Sequence, residues 1–127
     1  MRMELYCNNT SLDDATWADI EAVLPELKEE AYFHLTIMPE PEVGPVRLEV
    51  QGQNGNYIAV MPGSKGTGGS LYNPGAKGGE WIEMLGYEYA PEEVTQDYDR
   101  IVSIIREFFH TGNVPDELFT VQPEKNG

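Results

Sequence analysis

The feature that most restricts the fold of this 127-residue chain is an apolar repeat near its C-terminus. The repeat has helical spacing and consists of Tyr98, Ile101, Val102, Ile105, Phe108 and Phe109. This spacing places the side chains on one face of an α-helix, which must be buried against another layer of structure. With Thr95 as N-cap and Gly112 as C-terminal stop, the repeat predicts a helix over about residues 96–110.

A shorter repeat of the same kind lies near the N-terminus. Trp17, Ile20 and Leu24 are three and four residues apart, which predicts a helix over about residues 14–24. Pro25 ends it, because proline cannot donate the backbone hydrogen bond that a continuing helix needs.

Several segments have the composition or the alternation of β-strands: residues 3–7, 31–38, 46–50, 57–61, 81–85 and 86–90. Asn54-Gly55 predicts a tight hairpin between two of them. Residues 8–14 and 39–44 have the composition of turns, and 118–121 are expected to add a final short strand. The sequence therefore predicts one α+β domain over residues 1–127, an antiparallel β-sheet meander with two helices (about 14–24 and 96–110) packed on one face.

Residues 62–79 hold too many glycines for a helix or a central strand, so a long loop is predicted there. A phosphate-binding loop requires a lysine directly after its last glycine, whereas Lys65 precedes Gly66 and no helical pattern follows. The dinucleotide-binding pattern also fails, because Leu71 stands where its third glycine belongs. A nucleotide site is therefore not expected in this loop.

The charge of the chain restricts its partners. Twenty-two acidic residues against eight basic ones give a net charge of −14 and a pI near 4.3. This field repels nucleic acid, which proteins bind through Lys and Arg, and it attracts basic proteins. Because the sequence has neither a signal peptide nor a long apolar run, we expect a cytoplasmic protein that does not contact the membrane.

Few residues have the chemistry of catalysis or metal binding. Cys7 is the single cysteine, so an internal disulfide is excluded, and a buried position on the first strand is expected for it. His34 lies in an apolar strand and His110 at a helix end, where structural roles account for both. Glu107 and His110 alone do not make a metal site. We expect a protein that is not an enzyme and uses no cofactor or metal.

Acidic and aromatic residues are concentrated between residues 72 and 99. Residues 80–99 contain seven acids and no base. Tyr and Trp are the preferred anchors of protein interfaces, so a partner-binding surface is predicted here, although ordinary solubility and core packing would place the same residue types. The predicted partner-binding residues are Tyr72, Trp81, Glu83, Tyr87, Glu88, Tyr89, Glu92 and Glu93.

Residues 101–118 resemble the close of the first-numbered (Imm-one) family of immunity proteins from bacterial polymorphic toxin systems. Five residues match that family's ending: Glu107, Phe108, Thr111, Gly112 and Pro115. The glycine-rich residues 64–69 are also similar to it, while Phe119 stands where the family usually has Trp. The resemblance implies a cytoplasmic antidote that blocks the active-site region of a cognate toxin, commonly a nucleic-acid deaminase and sometimes a nuclease.

The residues and the resemblance together favour an immunity protein that binds a basic toxin domain. Two alternatives stay open. One is an acidic nucleic-acid mimic that inhibits another nuclease or DNA- or RNA-binding protein. The other is a small-molecule-binding domain built around the glycine-rich loop.

Overall fold

The computed structural model describes residues 2–29, 31–40, 47–62 and 69–120. Its main strands are β1 (Arg2–Cys7), β2 (Thr10–Leu12), β3 (Phe33–Glu40), β4 (Leu48–Gln53), β5 (Asn56–Met61) and β6 (Gly69–Ser70). They form one antiparallel sheet in the order β2-β1-β3-β4-β5-β6. Two further strands, β7 (Ile82–Met84) and β8 (Tyr87–Tyr89), form a separate antiparallel pair.

Two main helices accompany the sheet, α1 (Trp17–Val23) and α2 (Tyr98–Thr111), followed by one helical turn, α3 (Asp116–Phe119). Short 3-10 helices cover Leu24–Lys28, Pro74–Ala76 and Pro91–Glu93. Among the residues described, no helix is both long and apolar enough to cross a membrane.

Both main helices pack on the same face of the sheet. The strand residues of that face form part of the main core and are Met3, Leu5, Cys7, Phe33, Leu35, Ile37, Leu48, Val50, Tyr57, Ala59 and Met61. The helical segments complete it with Ile20, Leu24, Leu27, Ile101, Ile104, Ile105 and Phe108. The predicted α+β fold is thus confirmed. The meander departs from prediction in two places. Strand β2 folds back along the outer edge of β1 and leaves the other edge of β1 to β3, and the strands predicted over residues 81–85 and 86–90 form a pair outside the main sheet.

The N-terminal elements differ from prediction in their bounds. Residues 10–12, expected in a turn, form β2, whose exposed side chains lack the alternation by which strands are recognised. Helix α1 begins at Trp17 rather than near residue 14, because Thr16 caps it: the Thr16 hydroxyl accepts from the Asp19 amide (3.2 Å), and the Asp19 carboxylate accepts from the Thr16 amide (2.8 Å). The α-helical pattern ends at Pro25, as expected, but the chain continues there as a 3-10 helix.

Strand β3 continues through Pro39 to Glu40, into residues predicted to turn. The ladder between β3 and β4 ends at Ile37, so a proline beyond that point removes no hydrogen bond to β4. The rest of the predicted turn, residues 41–44, lies outside the described residues, as does Val46 at the predicted start of the next strand.

The C-terminal helix is confirmed, with a different cap. Asp97 caps α2 by accepting from the Arg100 amide (3.1 Å), whereas the predicted cap, Thr95, pairs in extended conformation with Tyr57. Gly112 ends the helix in left-handed conformation, as predicted.

The predicted strand over residues 118–121 is wrong for residues 118–120, and residue 121 lies outside the described residues. The chain forms α3 instead, because Asp116 and Glu117 suit the positive end of a helical turn that follows Pro115. Only Thr120 makes a β-type contact, a single parallel bridge to Tyr72. The prediction of an unbroken loop over residues 62–79 also needs correction. Gly69–Ser70 pairs with β5 as an edge strand, where glycine is tolerated, while residues 63–68 lie outside the described part.

Tyr57 joins four parts of the fold. Its hydroxyl donates to the Leu27 carbonyl (2.9 Å), and its backbone exchanges two hydrogen bonds with Thr95 (2.8 and 2.9 Å). Its ring lies 6.3 Å from that of Tyr98 on α2 and passes over Gly52, its partner across the β4–β5 hairpin. A methyl group on Gly52 would lie 2.7 Å from the ring, so only glycine fits there.

Gly52→Ala is therefore expected to lower the free energy of unfolding by about 2 kcal/mol, because the buried, hydrogen-bonded ring cannot move aside. Urea denaturation would measure the change. Gly69→Ala is the matched control, since its added methyl group would lie 3.5 Å from Phe119, an ordinary contact. Equal losses in the two variants would contradict the role assigned to the ring.

Cys7 is buried in the main core, as predicted. Burial, with a smaller contribution from the charge of Glu26, raises the pKa of its thiol to about 11. Since the thiolate is the reactive form, the thiol of the folded protein is protonated at neutral pH.

We expect iodoacetamide at about pH 8 to alkylate Cys7 roughly 100-fold more slowly in the folded protein than in urea, because unfolding restores an ordinary thiol pKa. Mass spectrometry of timed samples would give both rates. Similar rates would show that the thiol is accessible and ionises normally.

Candidate partner-binding surface

Strands β7 and β8 form a short hairpin on the sheet face opposite the helices. A small apolar cluster underneath it consists of Ile58, Met84, Val94, Ile82 and Tyr89. Ile58 belongs to the same strand as Tyr57 and Ala59 but points to the other face, so β5 is shared by the main core and this cluster.

Two glutamine side chains of β4 bind the hairpin to the sheet. The Gln53 carbonyl oxygen accepts from the Leu85 amide at the hairpin tip (2.8 Å). The Gln51 carbonyl oxygen accepts from the hydroxyls of Tyr89 (3.4 Å) and Tyr32 (3.0 Å). Burial, with smaller contributions from Tyr87 and Glu93, raises the pKa of the Tyr89 hydroxyl and keeps it a hydrogen-bond donor. The hairpin is therefore held at its tip and at its base.

Exposed apolar and acidic side chains occur together on this hairpin, but not all on one face: Tyr87 is paired with the buried Met84, whereas Glu83 and Glu88 share the other face. Trp81, Leu85 and Tyr87 are exposed at 64%, 55% and 68%, more than the other large apolar side chains that the structure describes. Glu83 and Glu88 lie directly opposite each other across the two strands. Like charges in this position repel, so the carboxylate pair destabilises the hairpin slightly in the absence of a cation.

The predicted partner-binding residues fall into three groups. Trp81, Glu83, Tyr87 and Glu88 are exposed together on the hairpin, whereas Tyr89 is half-buried and mainly anchors it. Glu92 and Glu93 follow in the 3-10 helix Pro91–Glu93. Tyr72 belongs to a separate segment, which reaches this 3-10 helix through the hydrogen bond from the Asn73 amide to the Glu92 carbonyl.

Leu85 is the residue of this surface that the sequence did not reveal. The segments 81–85 and 86–90 were assigned to adjoining strands with no loop between them, yet two antiparallel strands need a turn. That turn is Leu85-Gly86, and both residues have positive φ, 49° and 83°. The sequence signal for this turn is a residue followed by glycine, Leu85-Gly86, at the point where two predicted strands meet.

The same turn occurs elsewhere in the chain with a suitable residue. Asn54-Gly55, between β4 and β5, has φ values of 54° and 79°. Asparagine tolerates left-handed backbone, whereas a leucine there clashes with the following carbonyl oxygen, at a cost of about 1 kcal/mol. Leu85 therefore occupies a strained position in which its side chain gains little burial in the isolated protein.

A cavity of about 90 Å³ lies beside the hairpin and is lined by residues that include Ile58, Leu71, Tyr89 and Glu93. Pockets for small organic ligands typically exceed about 300 Å³, so this cavity is too small for one. Within residues 2–29, 31–40, 47–62 and 69–120, no group of three or more His, Cys, Asp or Glu residues could hold a metal ion. His34, for which a structural role is predicted, hydrogen bonds to the Thr36 hydroxyl at 3.0 Å.

Comparison with known families matches residues 2–118 to a family of unknown function (DUF6911). The chain belongs to DUF6911. No curated protein matches it. Among solved structures, this DUF6911 member is similar to the crystal structure of a hypothetical protein from Neisseria gonorrhoeae, with 21% identity and a TM-score of 0.63. The alignment covers 89% of this chain and 91% of the other, so the two proteins share a fold.

The opposed carboxylates give a prediction about stability. Glu88→Lys is expected to raise the free energy of unfolding by about 0.5 kcal/mol, because it replaces repulsion from Glu83 with attraction. Most of this gain should disappear in about 1 M sodium chloride, which screens exposed charges. Urea denaturation at both salt concentrations would measure it, and Glu88→Gln would separate relief of repulsion from the new attraction. If neither variant is more stable, the carboxylates do not repel each other.

Proposed function

We propose that this protein is an immunity protein that binds a basic toxin domain through the β7–β8 hairpin and blocks the toxin's active-site region. The observation that carries the proposal is the exposure of Trp81, Leu85 and Tyr87 on a fixed hairpin, within a stretch, residues 80–99, that has seven acids and no base.

The two kinds of side chain have different tasks in binding. The aromatic rings supply buried area and contribute most of the affinity once water is excluded around them. The carboxylates of Glu83, Glu88 and Glu93 raise the association rate with a positively charged partner and disfavour acidic ones. The target is expected to be basic because proteins that act on nucleic acid carry Lys and Arg around their substrate site.

The net charge of −14 and the resemblance of residues 101–118 to an immunity family both favour this proposal. The charge alone would suit any inhibitor that competes with nucleic acid. The resemblance adds that the target is a toxin, more often a deaminase than a nuclease. Anchoring by Gln51 and Gln53 supports it further, because a hairpin fixed before binding loses less conformational entropy on association.

Co-expression with a candidate toxin domain, sought first among the genes adjacent to this one, would test the proposal. The wild-type chain should restore growth, while Trp81→Ala and Tyr87→Ala should each weaken binding of the purified, inactivated domain by roughly 30-fold, the effect of losing one interface anchor. Glu83→Gln with Glu88→Gln should instead slow association several-fold and reduce its dependence on salt.

Tyr6→Ala is the matched control for the aromatic variants, because Tyr6 is a 41% exposed tyrosine on β1, which β3 separates from the β4 strand that anchors the hairpin. Glu21→Gln on α1 serves the same purpose for the carboxylates. A toxin-like domain that stays lethal and unbound in the presence of the wild-type chain would refute the proposal. Binding and inhibition of an unrelated nuclease, with the toxin unaffected, would favour the nucleic-acid mimic.

A further inference from the structure

We infer that the Leu85-Gly86 turn is the part of the hairpin that enters the partner, with Leu85 filling an apolar pocket bordered by Lys or Arg side chains. The inference rests on the proposed function and names the central contact of that interface.

The first argument is the conflict between residue and backbone at position 85. The backbone at Leu85 is left-handed (φ 49°), and the equivalent position of the β4–β5 hairpin has asparagine in almost the same conformation (φ 54°). The leucine is both strained and 55% exposed, so neither local conformation nor packing within the chain accounts for it. An apolar pocket on a partner would compensate both costs.

The second argument is that the turn is held in its strained form. The Leu85 amide donates to Gln53, and Met84 beside it is buried in the cluster beneath the hairpin. Leu85 is therefore presented to solvent in a fixed position before any partner binds. Such preorganisation favours a side chain that must enter a pocket.

The third argument identifies the surroundings of the pocket. Glu83 and Glu88 each stand two residues from the turn and are cross-strand partners, so a pocket that receives Leu85 meets two adjacent carboxylates on one face of the hairpin. Lys or Arg at its border would neutralise both. A second copy of this chain, which has a net charge of −14, would instead place like charges against one another.

Two reciprocal substitutions test the inference. Leu85→Asn should raise the melting temperature by about 3 °C, because asparagine suits left-handed backbone, and should raise the dissociation rate of the candidate toxin domain at least tenfold. Asn54→Leu creates the same strain in the other hairpin. It should lower the melting temperature by a similar amount and leave the dissociation rate within twofold of the wild-type value.

Each outcome separates the inference from the function on which it rests. If Leu85→Asn is not more stable than the wild type, the turn is unstrained and the inference fails. If the variant is more stable but dissociates at the wild-type rate, the hairpin binds by its sides and only the proposed function stands. If the wild-type chain does not bind the domain, the proposed function fails and the inference with it. A wild-type dimer that Leu85→Asn converts to a monomer would identify a second copy as the occupant and overturn the inference.

Discussion

The contact between Tyr57 and Gly52 determines how the layers of this protein meet. A buried tyrosine lies across a glycine on the neighbouring strand, where a single methyl group would collide with its ring. From that position its hydroxyl reaches the turn after α1 and its backbone pairs with the segment that leads into α2. Both helical segments are thereby connected to one strand of the sheet, and the main core closes around this strand.

Strand β5 also contributes to the opposite face of the sheet, under the β7–β8 hairpin. Tyr57 and Ala59 point into the main core, while Ile58 between them belongs to the cluster under the β7–β8 hairpin. Gln51 and Gln53 on β4 complete the attachment through hydrogen bonds. The position of the exposed Trp81, Leu85 and Tyr87 therefore depends on a strand fixed by contacts on its other side.

The sequence predicted the elements whose apolar residues follow a regular pattern, and it missed the features that depend on contacts with other parts of the chain. Helix α2 and strands β1, β3, β4 and β5 follow from the apolar patterns and compositions that buried helices and strands share. Strand β2 was missed because its three residues are exposed and resemble a turn. Residues 118 and 119 looked like strand residues, but Pro115 and the acids after it begin a helical turn. Trp81 and Tyr87 were predicted at a binding surface, yet their exposure depends on where the hairpin lies on the sheet, which no local pattern specifies.

The main core and the cluster beneath the hairpin are separate sets of residues. Side chains on the outside of β7, β8 and their turn can therefore be exchanged without repacking the helices against the sheet. Under the proposed function, recognition and foldability would be uncoupled in evolution, since one scaffold could acquire new specificities through a handful of hairpin substitutions. The same separation makes this hairpin a practical position for randomised libraries, because most variants would retain a folded carrier.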